Sequence, residues 1–431
     1  MKSAMEPEGK AFTDLSVGFG SASIANPYPL FADLRERMPV MEGDVMTSLG
    51  VPSKLARPDG SRPVYSIFRY DDIARVLQDS QGFTSGVMLE AYGAVLGRII
   101  TGLDGDEHRR LRSLLQPVFT KRSLEQWRSD VVGPLLREEF LDRMAPRRSA
   151  DLLAEFATQF PVRVIYRILG FPDDPEAIEQ FNDWALSILL TIGSGPSPDE
   201  AGQALHRERQ QRALKAAQDL YAHVFEIVVH RRRSASDGVD LISLLLRAEF
   251  EGHSLDDEEI TNFVRSLLPA AADTTSRSFA NLMVCLLSRP DDLEAVRNDP
   301  SLLPGAINES LRYESTLTVA ARQATHDVEI RGVAIPAGAG VSLIVGAGNR
   351  DPAAYPDPDR FDVRRSGRHV LTFNLGAHIC LGIHVAKMEL LEAAAAVLGR
   401  LSNLRFDPDL PTPQIVGAHF RCPDTLAVVW D

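Results

Sequence analysis

The chain has 431 residues, with 46 Lys and Arg against 59 Asp and Glu, so its formal net charge at pH 7 is −13. Because general binding to nucleic acids or anionic membranes needs a broad basic surface, this charge argues against both. A hydrophobic fraction of 44% and a charged fraction of 24% are typical of a folded globular protein and not of a fibrous or disordered chain.

The cysteines and the N-terminal residues indicate the compartment. Cys285, Cys380 and Cys422 lie far apart and no CxxC pair occurs, which favours a reducing, intracellular compartment over a disulfide framework. Residues 1–16 contain no apolar core of a secretory signal, and no stretch approaches the ~20 apolar residues that a membrane span needs. We therefore expect a cytoplasmic protein without a membrane span.

The first ~70 residues are predicted to be mixed in structure. Residues 26–40 (NPYPLFADLRERMPV) have the apolar spacing of a capped amphipathic helix, and residues 62–68 (RPVYSIF) alternate as a strand does. From about Asp71 to Arg289 the pattern is almost entirely helical, with loops predicted at residues 194–200 (SGPSPDE) and 234–238 (SASDG).

A long central helix is predicted between residues 252 and 290. Ser254 is a suitable N-cap, the acidic residues 256–259 complement the helix dipole, and Pro290 closes the helix. More than 30 residues would give a length of ~45 Å. Apolar residues surround its middle, so we expect it to be buried.

After Arg322 the sequence changes to the period of strands. Turns are expected at Arg331-Gly332 and at Pro336–Gly338, within residues 326–348 (HDVEIRGVAIPAGAGVSLIVGAG). A long irregular segment from about Asn349 to Gly382 is too long for a simple connector and indicates a functional loop. Residues 383–401 (IHVAKMELLEAAAAVLGRL) follow as a helix. The overall pattern is mainly α with minor β.

Cys380 lies in a glycine-containing loop directly before that last helix. Backbone N–H groups at a helix N-terminus favour a thiolate and lower the pKa of its thiol, and a thiolate is a soft metal ligand. The simplest alternative is a buried apolar cysteine. A second alternative is a type-1 copper site of Cys380, His384 and Met388, with His378 as the second imidazole; it fits poorly because these residues lie on a predicted helix.

Four motifs in order resemble those of the cytochrome P450 family. Phe373–Gly382 (FNLGAHICLG) is similar to the haem-binding loop, Glu309–Arg312 to the ExxR motif, Ala270–Thr275 (AAADTT) to the motif of the long central helix, and His108–Arg112 to HxxxR. The resemblance covers nearly the whole chain. It implies a single-domain P450 fold over residues 1–431, with a mixed part at about 1–70, a helix-rich part at 71–315, and a β-hairpin, Cys loop and C-terminal helix at 316–431.

The resemblance also implies the cofactor and the residues that hold it. Cys380 is expected to ligate the iron of haem b, because a thiolate ligand favours O–O cleavage. The residues expected to bind the two propionates, whose charge needs cationic or hydrogen-bonding partners, are His108, Arg112, Arg322 and His378. Ala270, Phe373 and Gly382 are expected to contact the cofactor. Glu309, Arg312 and Arg360 are assigned a structural role.

Asp273 and Thr274 are the predicted catalytic residues. A threonine inside a helix can donate its hydroxyl to the carbonyl four residues earlier, here Ala270, and open a groove. Pro269 removes one further helix hydrogen bond. In the family the acid–alcohol pair relays protons, so Thr274 is expected to hold oxygen and a water, and Asp273 to bring protons from solvent. The chain departs from the family at Ala271 and Asn374, where glycine is usual.

The resemblance places a substrate pocket above the haem. Residues 83–100 are expected to cover it, and residues 181–195, with Trp184, to form a lid. The predicted lining is mainly apolar, which indicates an apolar small molecule. The candidate lining residues are Met88, Tyr92, Ile99, Ser266, Pro269, Ala270, Thr318 and Val319.

The expected reaction is insertion of one oxygen atom from dioxygen, a hydroxylation or related oxidation in secondary metabolism or catabolism. Electrons are expected from NAD(P)H through a separate ferredoxin or flavodoxin, and the protein is expected to be a monomer. The predicted docking patch is Arg109, Arg110, Lys121, Arg122 and Lys387. Two alternatives stay open here: a haem-thiolate enzyme that uses peroxide or catalyses coupling or isomerisation, and a non-enzymatic helical binding protein.

Overall fold

A computed structural model describes residues 24–51, 53, 55–57, 59–172, 174–193, 200–234 and 237–431. The N-terminal segment before residue 24, most of the predicted loop at 194–200 and part of the loop at 234–238 lie outside the described residues. Within the described part of the chain, no helix has both the length and the apolar content that crossing a bilayer requires.

The helices carry most of the structure. The α-helices are α1 (Tyr28–Arg37), α2 (Val45–Ser48), α3 (Tyr70–Gln78), α4 (Val87–Leu96), α5 (Gly105–Leu115), α6 (Lys121–Trp127), α7 (Asp142–Met144), α8 (Phe160–Ile168), α9 (Pro175–Gly193), α10 (Glu200–Ser234), α11 (Leu241–Leu246), α12 (Asp257–Leu287), α13 (Pro290–Asn298), α14 (Leu303–Tyr313), α15 (Val345–Gly348) and α16 (Ile383–Arg400). Three π-helical stretches, Arg128–Val132, Leu135–Leu141 and Leu153–Ala157, lie between α6 and α8.

The strands form small sheets, so the predicted class, mainly α with minor β, is confirmed. The strands are β1 (Val40–Glu42), β2 (Val64–Ile67), β3 (Phe83–Thr84), β4 (Ser149–Asp151), β5 (Glu249–Phe250), β6 (His253–Ser254), β7 (Ala320–Ala324), β8 (Val328–Ile330), β9 (Val333–Ile335), β10 (Gly340–Leu343), β11 (Arg405–Phe406), β12 (Ile415–Val416), β13 (Cys422–Pro423) and β14 (Ala427–Val429). The largest sheet has the order β1-β2-β10-β7-β3. Its β2–β10 pair is parallel and its other pairs are antiparallel.

The central helix α12 is 31 residues long and begins two residues later than predicted. Asp256, not Ser254, is the N-cap: its side chain accepts from the Glu259 N–H at 2.7 Å, and the Glu259 carboxylate accepts from the Asp256 N–H at 3.1 Å. Ser254 instead pairs with Glu249 in the β5–β6 hairpin. This capping box satisfies two of the N–H groups that a helix start leaves open.

The predicted strand pattern through residue 348 is wrong in its last part, because α15 replaces it. A side chain on Gly348 would lie 2.8 Å from Leu371 Cδ1 and 2.9 Å from Ile73 Cδ1. The small residues of Val345–Gly348 therefore let a helical turn pack closely where a strand of larger residues would not fit. The turn at Arg331-Gly332 is confirmed, with φ of 51° and 78°.

The largest hydrophobic core surrounds α12. Buried side chains of α8, α14 and α16 pack in the same cluster as those of α12, and a second cluster lies under the five-stranded sheet. Since apolar burial is the main favourable term in folding, α12 is held on several sides. It can therefore present its one open face to a cavity without losing its position.

Candidate functional site

A cavity of about 940 Å³ lies between α12 and the loop that carries Cys380. Residues of α4, α5, β7, α16 and the tip of the β12–β13 hairpin complete its lining. The hairpin tip contributes His419 and Phe420, which the sequence analysis missed because nothing in the sequence brings that tip to this place. The cavity therefore brings together groups from distant parts of the chain.

The loop around Cys380 has a tightly determined backbone. The Cys380 N–H donates to the Phe373 carbonyl at 2.8 Å. Asn374 stands where glycine is usual in the family, and it has a φ of 58°. Asparagine tolerates this conformation better than most residues, so it can replace glycine there. Gly376 has a φ of 69°, and a Cβ there would lie 2.6 Å from the Leu77 carbonyl oxygen. This position therefore requires glycine.

The position of Cys380, more than the acidity of its thiol, suits it to bind a metal ion. Burial raises the pKa of its thiol, while a hydrogen bond from the Gly382 N–H and the charge of Arg112 act in the opposite direction. The expectation that the helix N-terminus lowers this pKa is therefore wrong for the protein alone. A coordinating metal ion deprotonates a thiol outright, so the two findings are compatible.

One wall of the cavity collects cationic and imidazole groups. Arg112 Nη1 donates to the Ile379 carbonyl at 2.7 Å, Arg322 Nη1 to the Ala321 carbonyl at 2.8 Å, and the His108 and His378 rings lie 4.2 Å apart. Burial lowers the pKa of His108 to about 4, helped by His378 and Arg112. Burial also lowers the pKa of Arg322 to about 10. Burial therefore disfavours the charged form of both side chains.

The same wall has donors that its neighbours leave unused. His108 Nε2 and Arg322 Nη2 are buried and have no hydrogen-bond partner among the described residues. The nearby carboxylate of Asp104 already contacts His378 Nε2 at 3.1 Å, the Ser85 N–H at 2.9 Å and the Thr84 hydroxyl. Buried donors and cations without acceptors are costly.

This arrangement fits a haem. Two propionates would supply the acceptors that His108 and Arg322 lack, and Arg112 and His378 lie beside them. A Cβ on Gly382 would meet nothing within 4 Å, which leaves room for a flat group next to Cys380. Phe373 and Ala270 also line the cavity. All of the residues predicted to bind the cofactor are therefore brought to one cavity.

Thr274 has the geometry expected of it. Its Oγ1 donates to the Ala270 carbonyl at 2.8 Å, and Ser266 Oγ donates to the Phe263 carbonyl at 2.8 Å. Ala270 is exposed although α12 is otherwise mostly buried, because this face of the helix opens to the cavity. The hydroxyl of Thr274 is thus held at the cavity wall by its own helix.

Asp273 is a buried residue of α12. Its side chain is only 2% exposed, and its Oδ1 lies 2.7 Å from Nε of Arg277, whose side chain is fully buried. The carboxylate is therefore held in a buried ion pair, and its expected role of bringing protons from solvent stays a prediction. The i, i+4 spacing of the two residues was readable in the sequence and was missed.

Most predicted pocket residues do line the cavity, with one exception. Those that line it are Met88, Tyr92, Ile99, Ser266, Pro269, Ala270 and Val319. Thr318 does not, and this prediction is corrected. It is fully buried, and its hydroxyl donates to the carbonyls of Ala418 and His419. Its role is to attach the β12–β13 hairpin.

Glu309 and Arg312 form the predicted buried pair, but Arg360 does not join them. Arg312 Nε and Nη2 each lie 2.8 Å from the Glu309 carboxylate. The third guanidinium belongs to Arg365, whose Nε donates to Glu309 Oε1 at 3.0 Å. Arg360 offers only its carbonyl, to Arg312 and Arg365, and its side chain is exposed. The chain turns at Asp357, which has a φ of 45°. After this turn it is the Arg365 side chain, and not that of Arg360, that reaches Glu309.

The remaining expectations are partly corrected. No group of three His, Cys, Asp or Glu side chains able to hold a metal ion occurs in the described ranges, and His384, a ligand in the copper alternative, is exposed. In the predicted docking patch, Arg109 pairs with Asp106 and Arg110 with Glu259. Lys121 and Arg122 are exposed, and Lys387 lies 5.7 Å from the Phe373 ring. Trp184 is half-buried, and part of the predicted lid lies outside the described residues.

Comparisons with known proteins agree with this geometry. The family model described as Cytochrome P450 matches residues 58–415. The mycinamicin IV hydroxylase/epoxidase of Micromonospora griseorubida is 33% identical over 88% of this chain and 92% of its own length, and the cyclomarin C epoxidase CymV of Salinispora arenicola is 34% identical over 79% and 84%. The structure of CYP109E1 from Bacillus megaterium in complex with testosterone is similar with a TM-score of 0.79 and 26% identity, over 94% of this chain and 99% of that one.

Proposed function

The chain belongs to the cytochrome P450 family and is a monooxygenase, and from that premise we propose that it hydroxylates or epoxidises an apolar small molecule with one atom of dioxygen. The observation that carries the proposal is the cavity that joins Cys380 to a wall where the buried His108 Nε2 and Arg322 Nη2 have no hydrogen-bond partner among the described residues. A structural cysteine in a helical binding protein would need no such wall. The reaction belongs to secondary metabolism or catabolism.

Haem b bound through a thiolate would supply the activation of dioxygen, because the thiolate donates electron density that favours O–O cleavage. Cys380 holds the iron in this proposal, and Arg112, Arg322, His108 and His378 bind the propionates. Glu309 and Arg312 fix the irregular segment before the Cys loop, since Arg312 also donates to the Asn349 and Pro358 carbonyls at 2.9 and 2.8 Å.

The proposed proton chemistry belongs to α12. Thr274 Oγ1 donates to the Ala270 carbonyl. In this proposal the hydroxyl passes its proton to a water in the cavity as it receives one from Asp273, the acid next to it, so that the hydroxyl is restored. General acid catalysis needs groups held in place, and both residues are held by partners on the same helix. The buried core around α12 excludes bulk water from this side.

The proposed substrate is apolar because its pocket is. Met88, Ile99, Pro269 and Val319 give the cavity an apolar lining, and Tyr92 and Ser266 add a small number of polar groups, a pattern typical of small-molecule sites. One similar protein is named as a hydroxylase/epoxidase of mycinamicin IV, and one similar structure is a complex with testosterone; both support a small-molecule substrate for this chain.

Electrons come in this proposal from NAD(P)H through a separate ferredoxin or flavodoxin. In the predicted patch, Lys121 and Arg122 are exposed and Lys387 is less accessible. Among the described residues, no carboxylate forms a salt bridge with any of these three side chains. Such charges act mainly on the rate of encounter. We further propose that the protein is a monomer and that it is cytoplasmic; the scattered positions of its three cysteines support the reducing compartment.

Turnover in isotopically labelled dioxygen tests this function. After candidate ligands are screened for a spin-state shift of the haem, a substrate should yield product with one labelled oxygen, and Thr274→Ala should divert electrons to hydrogen peroxide. Unlabelled product formed with peroxide alone, at an undiminished rate in Thr274→Ala, would instead establish the peroxide-using alternative.

A further inference from the structure

A buried ion pair on α12 connects the predicted acid of the site to a hairpin residue in the cavity lining. Asp273 and Arg277 are one helical turn apart, with side chains 2% and 0% exposed and an Oδ1–Nε distance of 2.7 Å. Arginine is rarely buried to this degree without a specific task, because a guanidinium loses its hydration there. The position of Asp273 is therefore determined by Arg277.

Arg277 has a second contact, on the hairpin. Its guanidinium carbon lies 5.6 Å from the centre of the Phe420 ring, and Phe420 lines the cavity. A cation over an aromatic face is attracted to it, more strongly where water is excluded. The same arginine thus contacts the acid on α12 and a residue that a substrate would meet.

The hairpin tip is tied to α12 through residue 316 and also directly. The Arg421 N–H donates to the carbonyl of Thr316, which precedes β7, at 2.9 Å. Thr316 Oγ1 lies 2.8 Å from Ser278 Oγ on α12, and Ser278 Oγ donates to the Thr274 carbonyl at 2.7 Å. The Asn281 side chain donates to the Arg421 carbonyl at 3.0 Å. Because these bonds fix the hairpin against the helix, the distance between Phe420 and Arg277 is set by the fold and not by chance contact.

We propose that Arg277 is a positioning residue. It fixes the Asp273 carboxylate beside Thr274 and couples the position of that carboxylate to Phe420, so that a bound molecule that displaces Phe420 also displaces the carboxylate. The proposal rests on the proposed monooxygenase function. It adds a residue that touches neither substrate nor haem, and that acts only through Asp273.

The probe for this idea is carbon monoxide on the reduced holoenzyme, whose C–O stretching band in the infrared responds to charges and hydrogen bonds near the ligand. Arg277→Met should shift or split the band, and Arg277→Lys should restore it toward the wild-type position. In an Asp273→Asn background, Arg277→Met should cause no further shift. Arg289→Met is the matched control: Arg289 lies just beyond the end of α12, between the Tyr313 and Phe361 rings, and should leave the band unchanged.

A purely structural arginine predicts a different pattern, since its loss would move the band equally with Asp273 present or replaced. Equal shifts in both backgrounds, or no shift in a folded Arg277→Met protein, overturn the proposal. Should the single variant fail to fold because it strands a buried carboxylate, the Asp273→Asn/Arg277→Met protein compared with Asp273→Asn decides alone. A sample that lacks a thiolate-type Soret band overturns the proposed function and this inference with it; a normal Soret band with additive shifts overturns this inference only.

Discussion

Arg365, and not Arg360, should hold the segment that leads to the Cys loop. Arg365→Met removes one hydrogen bond to the Glu309 carboxylate at 3.0 Å and three to carbonyls, those of Pro356, Asp357 and Arg360, at 2.6, 3.1 and 2.8 Å. A bond to a charged partner contributes ~1.5 kcal/mol and one to a neutral carbonyl ~0.5 kcal/mol where water can compete. The sum is about 3 kcal/mol.

Arg360→Met is the matched control, because its side chain is exposed and only its carbonyl is used. Surface substitutions of this kind stay within ~0.5 kcal/mol. A cost of about 3 kcal/mol raises the population of locally open molecules roughly 100-fold. Hydrogen exchange of residues 349–370, followed by mass spectrometry on the holoenzyme, should therefore be roughly 100-fold faster in Arg365→Met, and the urea midpoint for loss of the Soret band should fall.

Equal exchange rates in the two variants would refute the reasoning, since the assignment rests on which guanidinium reaches Glu309. Faster exchange in Arg360→Met alone would restore the role that the sequence analysis gave to that residue.

Three further predictions test other parts of the site. Gly376→Ala, at a φ of 69° with its Cβ 2.6 Å from backbone, should lower haem retention, whereas Gly399→Ala, on an open helix face, should stabilise the protein by ~0.5–1 kcal/mol; haem content after urea titration measures both. Because burial lowers the pKa of His108 from 6.5 to about 4, the unfolded haem-free protein binds a proton between those pH values that the folded protein does not. Its free energy of unfolding should therefore rise with pH across that window and be fully gained above pH 6.5, and a His108→Phe variant that kept the same slope would contradict this. Thr318→Val should lower stability by ~1 kcal/mol without changing the spin-state titration of a ligand, whereas Val319→Ala should change that titration; the reverse result would return Thr318 to the pocket.

The helical frame was predictable because it depends on local patterns. The apolar spacing predicts α1, α12 and α16. The capping box of Asp256 and Glu259 is also visible in the sequence, but the sequence analysis predicts Ser254 as the N-cap instead. Local rules fail at α15, where the packing of Gly348 against Leu371 and Ile73 decides the structure. That contact lies between segments distant in sequence.

The site shows the same division. Motif resemblance predicted Cys380, His378, His108 and Arg112, which the structure brings to one cavity, because each belongs to a short pattern. It could not identify Arg365 or Phe420, because an irregular segment with a positive φ at Asp357 and a hairpin tip reach the site only through tertiary structure. Arg277 is the intermediate case: its spacing from Asp273 was visible, but its burial was not.

The central claim is that the Cys380 sulfur is the iron ligand. The most direct measurement is the absorption spectrum of the reduced, carbon-monoxide-treated protein for the wild type, Cys380→Ala and Cys422→Ala, the last being a buried cysteine outside the cavity lining. We predict a thiolate-type Soret band in the wild type and in Cys422→Ala, and its loss in Cys380→Ala. A thiolate-type band that survives Cys380→Ala would contradict the account.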